Sequence, residues 1–158
     1  MEYRKVDVSS EHIASIEALE KLSFSSPWTQ EQLKKQMKDH MHEFIAAVSD
    51  DANVLGYVSM MYVLDEGYIA NVAVSPEHRR KGIADKIINK LCLICEELEL
   101  SFVTLEVRAT NTAAISLYAK HGFEQVGRRK NYYDLPKEDA ILMTKFLNRG
   151  NELENTCI

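Results

Sequence analysis

At 158 residues, with 46% apolar and 27% charged side chains, the chain has the composition of one soluble globular domain with a proper core and is short for two. Nineteen basic against 24 acidic residues leave a net charge of −5, which argues against a general nucleic-acid binder and mildly favours cationic partners. No apolar run approaches the roughly twenty residues that span a bilayer, the segment Met1–Lys5 is no signal peptide, and three cysteines point to a reducing cytoplasm.

Taken in order, Tyr3–Val8 alternates and predicts a first strand. Across Glu11–Leu22, Ile13, Ile16, Leu19 and Leu22 recur at steps of three, which predicts a helix with one apolar face. Ser23–Trp28 breaks that pattern. Thr29 followed by Gln32 resembles a capping box, so a second helix runs from about Gln30 to Met37. Phe44–Val48 and Val54–Tyr62 are strands on either side of a turn at Ser49–Asn53. Asp65, Glu66 and Gly67 then turn the chain into a further strand, Tyr68–Val74. Ile83, Ile87, Ile88, Leu91, Ile94, Cys95 and Leu98 recur at steps of three and four and predict an amphipathic helix. Ser101–Val107 is a strand of β-branched and apolar residues. Asn111 caps a helix that runs through His121, with Gly122 where a left-handed C-terminal cap falls. Glu124–Tyr133 and Ala140–Phe146 close the chain as two strands. Residues 149–158 are polar and read as a flexible tail, leaving 1–148 as one domain. The order β-α-α-β-β-β-α-β-α-β-β is that of a mixed α+β sheet with helices on both faces.

Between the strand Tyr68–Val74 and the long helix lies the turn Arg79-Arg80-Lys81-Gly82-Ile83-Ala84. A helix entrance presents backbone N–H groups that have no carbonyl one turn back, and the helix dipole is positive there. A glycine at the entrance lets a ligand approach the backbone closely, and three cations rim it. The combination reads as a cradle for phosphate or pyrophosphate. Neither a Walker loop nor a dinucleotide fingerprint is present. The spacing Arg79-x-x-Gly82-x-Ala84 after a strand resembles the acetyl-coenzyme A (acetyl-CoA) pyrophosphate loop of the GNAT N-acetyltransferases, and the element order matches that fold from about residue 3 to residue 147. The resemblance implies that the strands Tyr68–Val74 and Ser101–Val107 are parallel neighbours that splay apart to admit the cofactor's pantetheine arm.

Acyl transfer from a thioester to an amine needs a base for the amine, donors for the oxyanion and a proton for the departing thiolate. Glu106, a carboxylate near the end of an otherwise apolar strand, is the candidate base; a salt bridge to Arg108, two residues on and on the same face, is the plainer alternative. Tyr118 is the candidate acid, against the alternative of a core tyrosine packed on Ile115. The run Leu105–Asn111, then Ala113-Ala114-Ile115, Leu117-Tyr118 and Gly122-Phe123, resembles one GNAT subfamily, the RimI type, which acetylates the N-terminal alanine of a small-subunit ribosomal protein. Pro27-Trp28, Val63–Glu66, Asn131–Tyr133 and Glu138–Ala140 extend the match. That resemblance implies acetyl-CoA as cofactor without a metal, and a ribosomal protein N-terminus as partner. The acidic balance and the lack of a long apolar run predict no direct nucleic-acid or membrane contact, and the oligomeric state stays open.

Carried over by position, Glu106 is the base and Tyr118 the acid. Val72, Ala73 and Val74 bond the pantetheine arm, Arg80, Lys81, Gly82, Ile83, Ala84 and Asp85 hold the pyrophosphate, and Asn111 also meets the cofactor. Ala84 stands where glycine is commoner, and Asp85 where a basic or small polar residue is usual. Trp28, Asp65, Glu66, Tyr132 and Tyr133 are candidates for the substrate mouth, with a hydrophobic staple, a hairpin turn and ordinary strand aromatics as their plainer readings. Acetylation of a small amine or of lysine side chains, and a non-catalytic CoA-binding sensor, are the competing functions. Cys92 and Cys95 have C-x-x-C spacing but sit inside the predicted helix and read as packing; His40 and His42 read as part of a polar turn.

Overall fold

The computed structural model describes residues 1–8 and 11–147. The expected tail, 149–158, lies outside the described residues. The elements follow in the predicted order: β1 (Glu2–Lys5), α1 (Ile13–Ser23), α2 (Gln30–Lys38), β2 (His42–Val48), β3 (Val54–Val63), β4 (Glu66–Val74), α3 (Ile83–Glu97), β5 (Phe102–Arg108), α4 (Thr112–Lys120), β6 (Glu124–Asp134) and β7 (Lys137–Phe146). Several boundaries differ from expectation. β1 ends at Lys5, although the Val6 N–H still bonds the Phe44 carbonyl at 2.9 Å. Glu66 and Gly67, expected in a turn, already pair with Phe102 and Val103 as strand. His42, expected in a turn, opens β2.

The seven strands form a mixed sheet in the order β1-β2-β3-β4-β5-β7-β6. β4 and β5 are parallel, and their ladder joins three residue pairs, from Glu66↔Phe102 to Tyr68↔Thr104. β5–β7 and β6–β7 are antiparallel. The described residues divide into two compact units, one of Met1–Tyr62 with Ile69–Cys92, the other of Val63–Tyr68 with the chain from Leu93 onward.

In the first unit, α1, α2, β2 and β3 share a core around Ile16, Leu33, Phe44 and Tyr57. Burying each such side chain contributes about 1.5–3 kcal/mol. The Phe44 and Tyr57 rings stack at 6.3 Å. The capping box on α2 forms as expected: Thr29 Oγ1 accepts from Gln32 N at 3.3 Å, and Gln32 Oε1 accepts from Thr29 N at 2.9 Å. Trp28 and Leu33 join one apolar cluster, which is the staple geometry across a helix entrance. Gly56 lets β3 run close to the next strand, for a Cβ there would lie 3.0 Å from the Ala73 carbonyl oxygen.

In the second unit, β5 alternates cleanly. Val103, Leu105 and Val107 are buried, while Thr104, Glu106 and Arg108 face the other way. Asn111 caps α4 by accepting from Ala114 N at 3.2 Å. Gly122 takes the left-handed φ of +86° at the far end of α4, which returns Phe123 onto Tyr118 with ring centroids 5.7 Å apart.

Candidate active site

The first unit carries the basic turn. A short 3-10 turn, Pro76–His78, follows β4, and Arg79 ties the turn back by donating from Nε to the Val74 carbonyl at 3.2 Å. Arg80 and Gly82 both take left-handed backbone, at φ +60° and +78°. Lys86 N bonds Gly82 O at 3.2 Å, so Gly82 stands at the N-terminal boundary of α3. The N–H groups of Ile83 and Ala84 then fall in the first turn, where a helix supplies no acceptor. A Cβ on Gly82 would meet nothing within 4 Å, so its backbone is open to approach. Arg80 and Lys81 are exposed beside it. These residues fit the diphosphate of a nucleotide cofactor: open main-chain donors, a dipole end and two cations.

Further back in the same unit, sequence reasoning missed a buried carboxylate. Glu20, on α1, has no solvent exposure. It accepts from the Tyr57 hydroxyl, from Asn71 Nδ2 at 2.7 Å and from the Trp28 N–H at 2.7 Å. Burial, then the Glu20 charge, pushes the Tyr57 phenol well above its ordinary pKa. Trp28 is therefore held by its backbone and packed by its ring. Asn71 is tied to the same carboxylate immediately before Val72, Ala73 and Val74.

The second unit holds Glu106. Its side chain is 9% exposed, and Arg129 Nε lies 3.4 Å from Oε1. Oε2 is buried without a hydrogen-bond partner. An ionisable oxygen left so is costly and marks a place where a polar ligand atom belongs. The expected alternative partner is elsewhere: Arg108 pairs with Glu138 at 3.2 Å and donates to the carbonyls of Leu135 and Pro136 at 3.1 and 3.0 Å. Its guanidinium also lies 4.2 Å from the centre of the Tyr133 ring. Sheet register explains the exchange. Arg108 pairs across β7 with Ala140, and Ala140 pairs with Arg129, which brings Arg129 onto the face of Glu106 one row away.

Phenols line this face. Tyr68 pairs with Thr104, two residues before Glu106; burial, then the neighbouring Glu106 carboxylate and Tyr132, raise its pKa. Tyr132 meets Tyr133 edge-on at 5.0 Å, and burial pushes the Tyr133 phenol up to about 12. Tyr118 is buried; burial first, and then Tyr133, raises its pKa. So Tyr132 and Tyr133 do sit with Glu106, and Tyr118 with Tyr133. Asp65 and Glu66 do not. Glu66 pairs with Phe102, four residues or about 13 Å along β5 from Glu106, and Asp65 accepts from the Ser101 hydroxyl. Asn111 spends its carboxamide oxygen on the α4 cap. Tyr68 and Arg129 were missed in sequence; only the strand pairing brings them in. Among the described residues, no group of three or more His, Cys, Asp or Glu side chains is arranged to hold a metal, and no helix is long and apolar enough to cross a membrane.

Residues 13–123 match the profile of the Acetyltransferase (GNAT) family. A protein of Bacillus subtilis strain 168, provisionally named a ribosomal protein bS18-alanine N-acetyltransferase, is 32% identical over 138 residues, covering 87% of this chain and 89% of that protein. The ribosomal protein bS18-alanine N-acetyltransferase of Escherichia coli strain K12 is 30% identical over 127 residues, 79% of this chain and 84% of that one. A crystal structure of the ribosomal-protein-S18-alanine N-acetyltransferase from Escherichia coli superposes with a TM-score of 0.84 at 25% identity, covering 96% of both chains. An open basic turn at a helix entrance, this element order and these matches agree: the chain belongs to the GNAT family and is an acetyl-CoA-dependent N-acetyltransferase.

Proposed function

We propose that the chain acetylates the N-terminal α-amine of a protein, and that its substrate is the N-terminal alanine of a small-subunit ribosomal protein, in the cytoplasm. The observation that carries the chemistry is the buried, unpartnered Oε2 of Glu106; the two relatives' names support the substrate. Acetyl-CoA supplies a thioester carbonyl for attack by an amine. Arg80 to Asp85 offer main-chain donors to its diphosphate, Arg80 and Lys81 add positive charge, and Val72, Ala73 and Val74 offer backbone bonds to its pantetheine arm. Glu106 accepts the proton of the attacking ammonium, directly or through a water, so that the amine is neutral when it attacks. Arg129 steadies the other carboxylate oxygen. Tyr118, whose phenol burial keeps protonated, donates its hydrogen toward the departing sulfur. The Tyr132 and Tyr133 rings wall the approach of an extended peptide.

Mass spectrometry after incubation with acetyl-CoA and a panel of ribosomal-protein N-terminal peptides, polyamines and lysine peptides tests this reading. An acetyl gain on an alanine-first peptide, with the highest kcat/KM of the panel, is expected. A polyamine or lysine peptide with the higher value would replace the substrate, and CoA binding with no turnover on any acceptor would leave a sensor. Glu106→Gln should abolish most turnover while keeping CoA affinity, and Tyr118→Phe should lower kcat roughly 10²-fold.

A further inference from the structure

Strand β6 does not run in register with β7. Arg129 pairs with Ala140 and Tyr133 with Glu138, so Lys130, Asn131 and Tyr132 together face the single residue Asp139. Asn131 takes a left-handed φ of +53° at the centre of this bulge. Bulges of this kind re-aim the side chains on either side of them. Here those side chains are Arg129, whose Nε lies 3.4 Å from Glu106 Oε1, and Tyr132, whose ring lies under the Arg129 guanidinium at 5.8 Å.

The bulge is filled from the β7 side by one carboxylate. Asp139 Oδ1 accepts the Asn131 N–H at 2.8 Å, and Oδ2 accepts Arg128 Nε at 2.7 Å. The Asp139 backbone carbonyl accepts Ala109 N at 3.0 Å, just beyond the end of β5. One residue thus joins the distorted part of β6 to the strand that carries Glu106.

We propose that Asp139 is a positioning residue for the base: by holding the Asn131 N–H it fixes the β6 bulge, and the bulge aims Arg129 at Glu106 Oε1, leaving Oε2 turned to the reacting amine. This inference rests on the reading of Glu106 as base. The Asn131 bond does the aiming, because it holds the main chain at the centre of the bulge, and the Arg128 ion pair is secondary, because it holds only a side chain.

The test is steady-state kinetics on the full chain with acetyl-CoA and an unacetylated, alanine-first acceptor peptide, with thermal unfolding recorded for each variant. Arg129→Gln should lower kcat about tenfold, because it removes one charge-assisted contact to a nearly buried carboxylate. KM for acetyl-CoA should not move, the basic turn being untouched. Asp139→Ala should match Arg129→Gln in kcat. Asp139→Asn, which keeps an oxygen for the Asn131 N–H, should stay within about threefold of the parent, as should Arg128→Gln. The double variant Arg129→Gln with Asp139→Ala should be no slower than Arg129→Gln alone, because the two act in series. Multiplying losses in the double variant, or Arg129→Gln at parental kcat, would overturn the inference. Failure of the underlying reading looks different: Glu106→Gln itself would turn over at the parental rate, and this proposal would fall with it.

Discussion

Replacing Glu20 by alanine removes the acceptor shared by Tyr57, Asn71 and Trp28. Tyr57 is fully buried, so its hydroxyl carries the whole penalty of a stranded polar group, about 1–3 kcal/mol. Asn71 and Trp28 are half-buried, and water meets part of their need; together they add about 1 kcal/mol. Vacating a side-chain volume with no solvent exposure adds about 1 kcal/mol more. The sum is about 4 kcal/mol, or a fall in Tm of about 8–16 °C for a chain of this size. Glu20→Gln keeps the shape and one acceptor, and the Tyr57 hydroxyl can turn to accept from the new amide, so it should lose only about half as much. Urea unfolding followed by fluorescence suits the question, because Trp28 is the chain's single tryptophan and its own N–H is a partner in the network. Circular dichroism on the same samples checks that the transition is shared by the whole chain. A loss below about 1 kcal/mol for Glu20→Ala would refute the claim that this carboxylate is the common acceptor of a sealed network.

Three further outcomes are expected. Gly82→Ala has room for its Cβ but must hold φ +78°, which costs about 1–2 kcal/mol; calorimetric CoA titration should show weaker binding, with kcat at saturation little changed. Gly56→Ala brings a Cβ to 3.0 Å from Ala73 O and 3.1 Å from Ile83; overpacking of about 1–3 kcal/mol should lower Tm and, by displacing Ala73, also raise KM for acetyl-CoA. Thr110 and then Arg108 hold the Glu138 carboxyl below its usual pKa, and the Asn131 N–H and then Arg128 do so for Asp139. Folded-state values below the unfolded ones mean stability present above the ordinary carboxylate range and lost as pH falls through the depressed values. Urea midpoints taken downward from pH 5 should therefore decline less steeply for Asp139→Ala than for the parent.

Most of the fold was legible because its signals are local. The capping box at Thr29, the three-and-four spacing on α3, the cap at Asn111 and the left-handed Gly122 each depend on neighbours within a few residues, and each stands where expected. The basic turn was legible for the same reason. The surroundings of Glu106 were not, because they depend on register. Adjacency in sequence suggested Arg108, whereas a three-for-one bulge in β6 and the small Ala140 between two arginines deliver Arg129. Tyr68 is hidden likewise, since it meets Glu106 only through a parallel ladder three pairs long. Glu20 shows a third limit. A glutamate on an otherwise regular helix face gives no hint that Tyr57 and Asn71, 37 and 51 residues away, converge on it.

Arg108 sets a ruler inside the last hairpin. Its one flat group must reach the Leu135 and Pro136 carbonyls, the Glu138 carboxylate and the face of Tyr133 at once, and a lysine cannot span those directions. The connection between Asp134 and Lys137 is therefore fixed in length more strictly than in kind. Leu135 is 74% exposed and contributes only its carbonyl, so many side chains will serve there, whereas one residue more or fewer would carry both carbonyls off the gauge together.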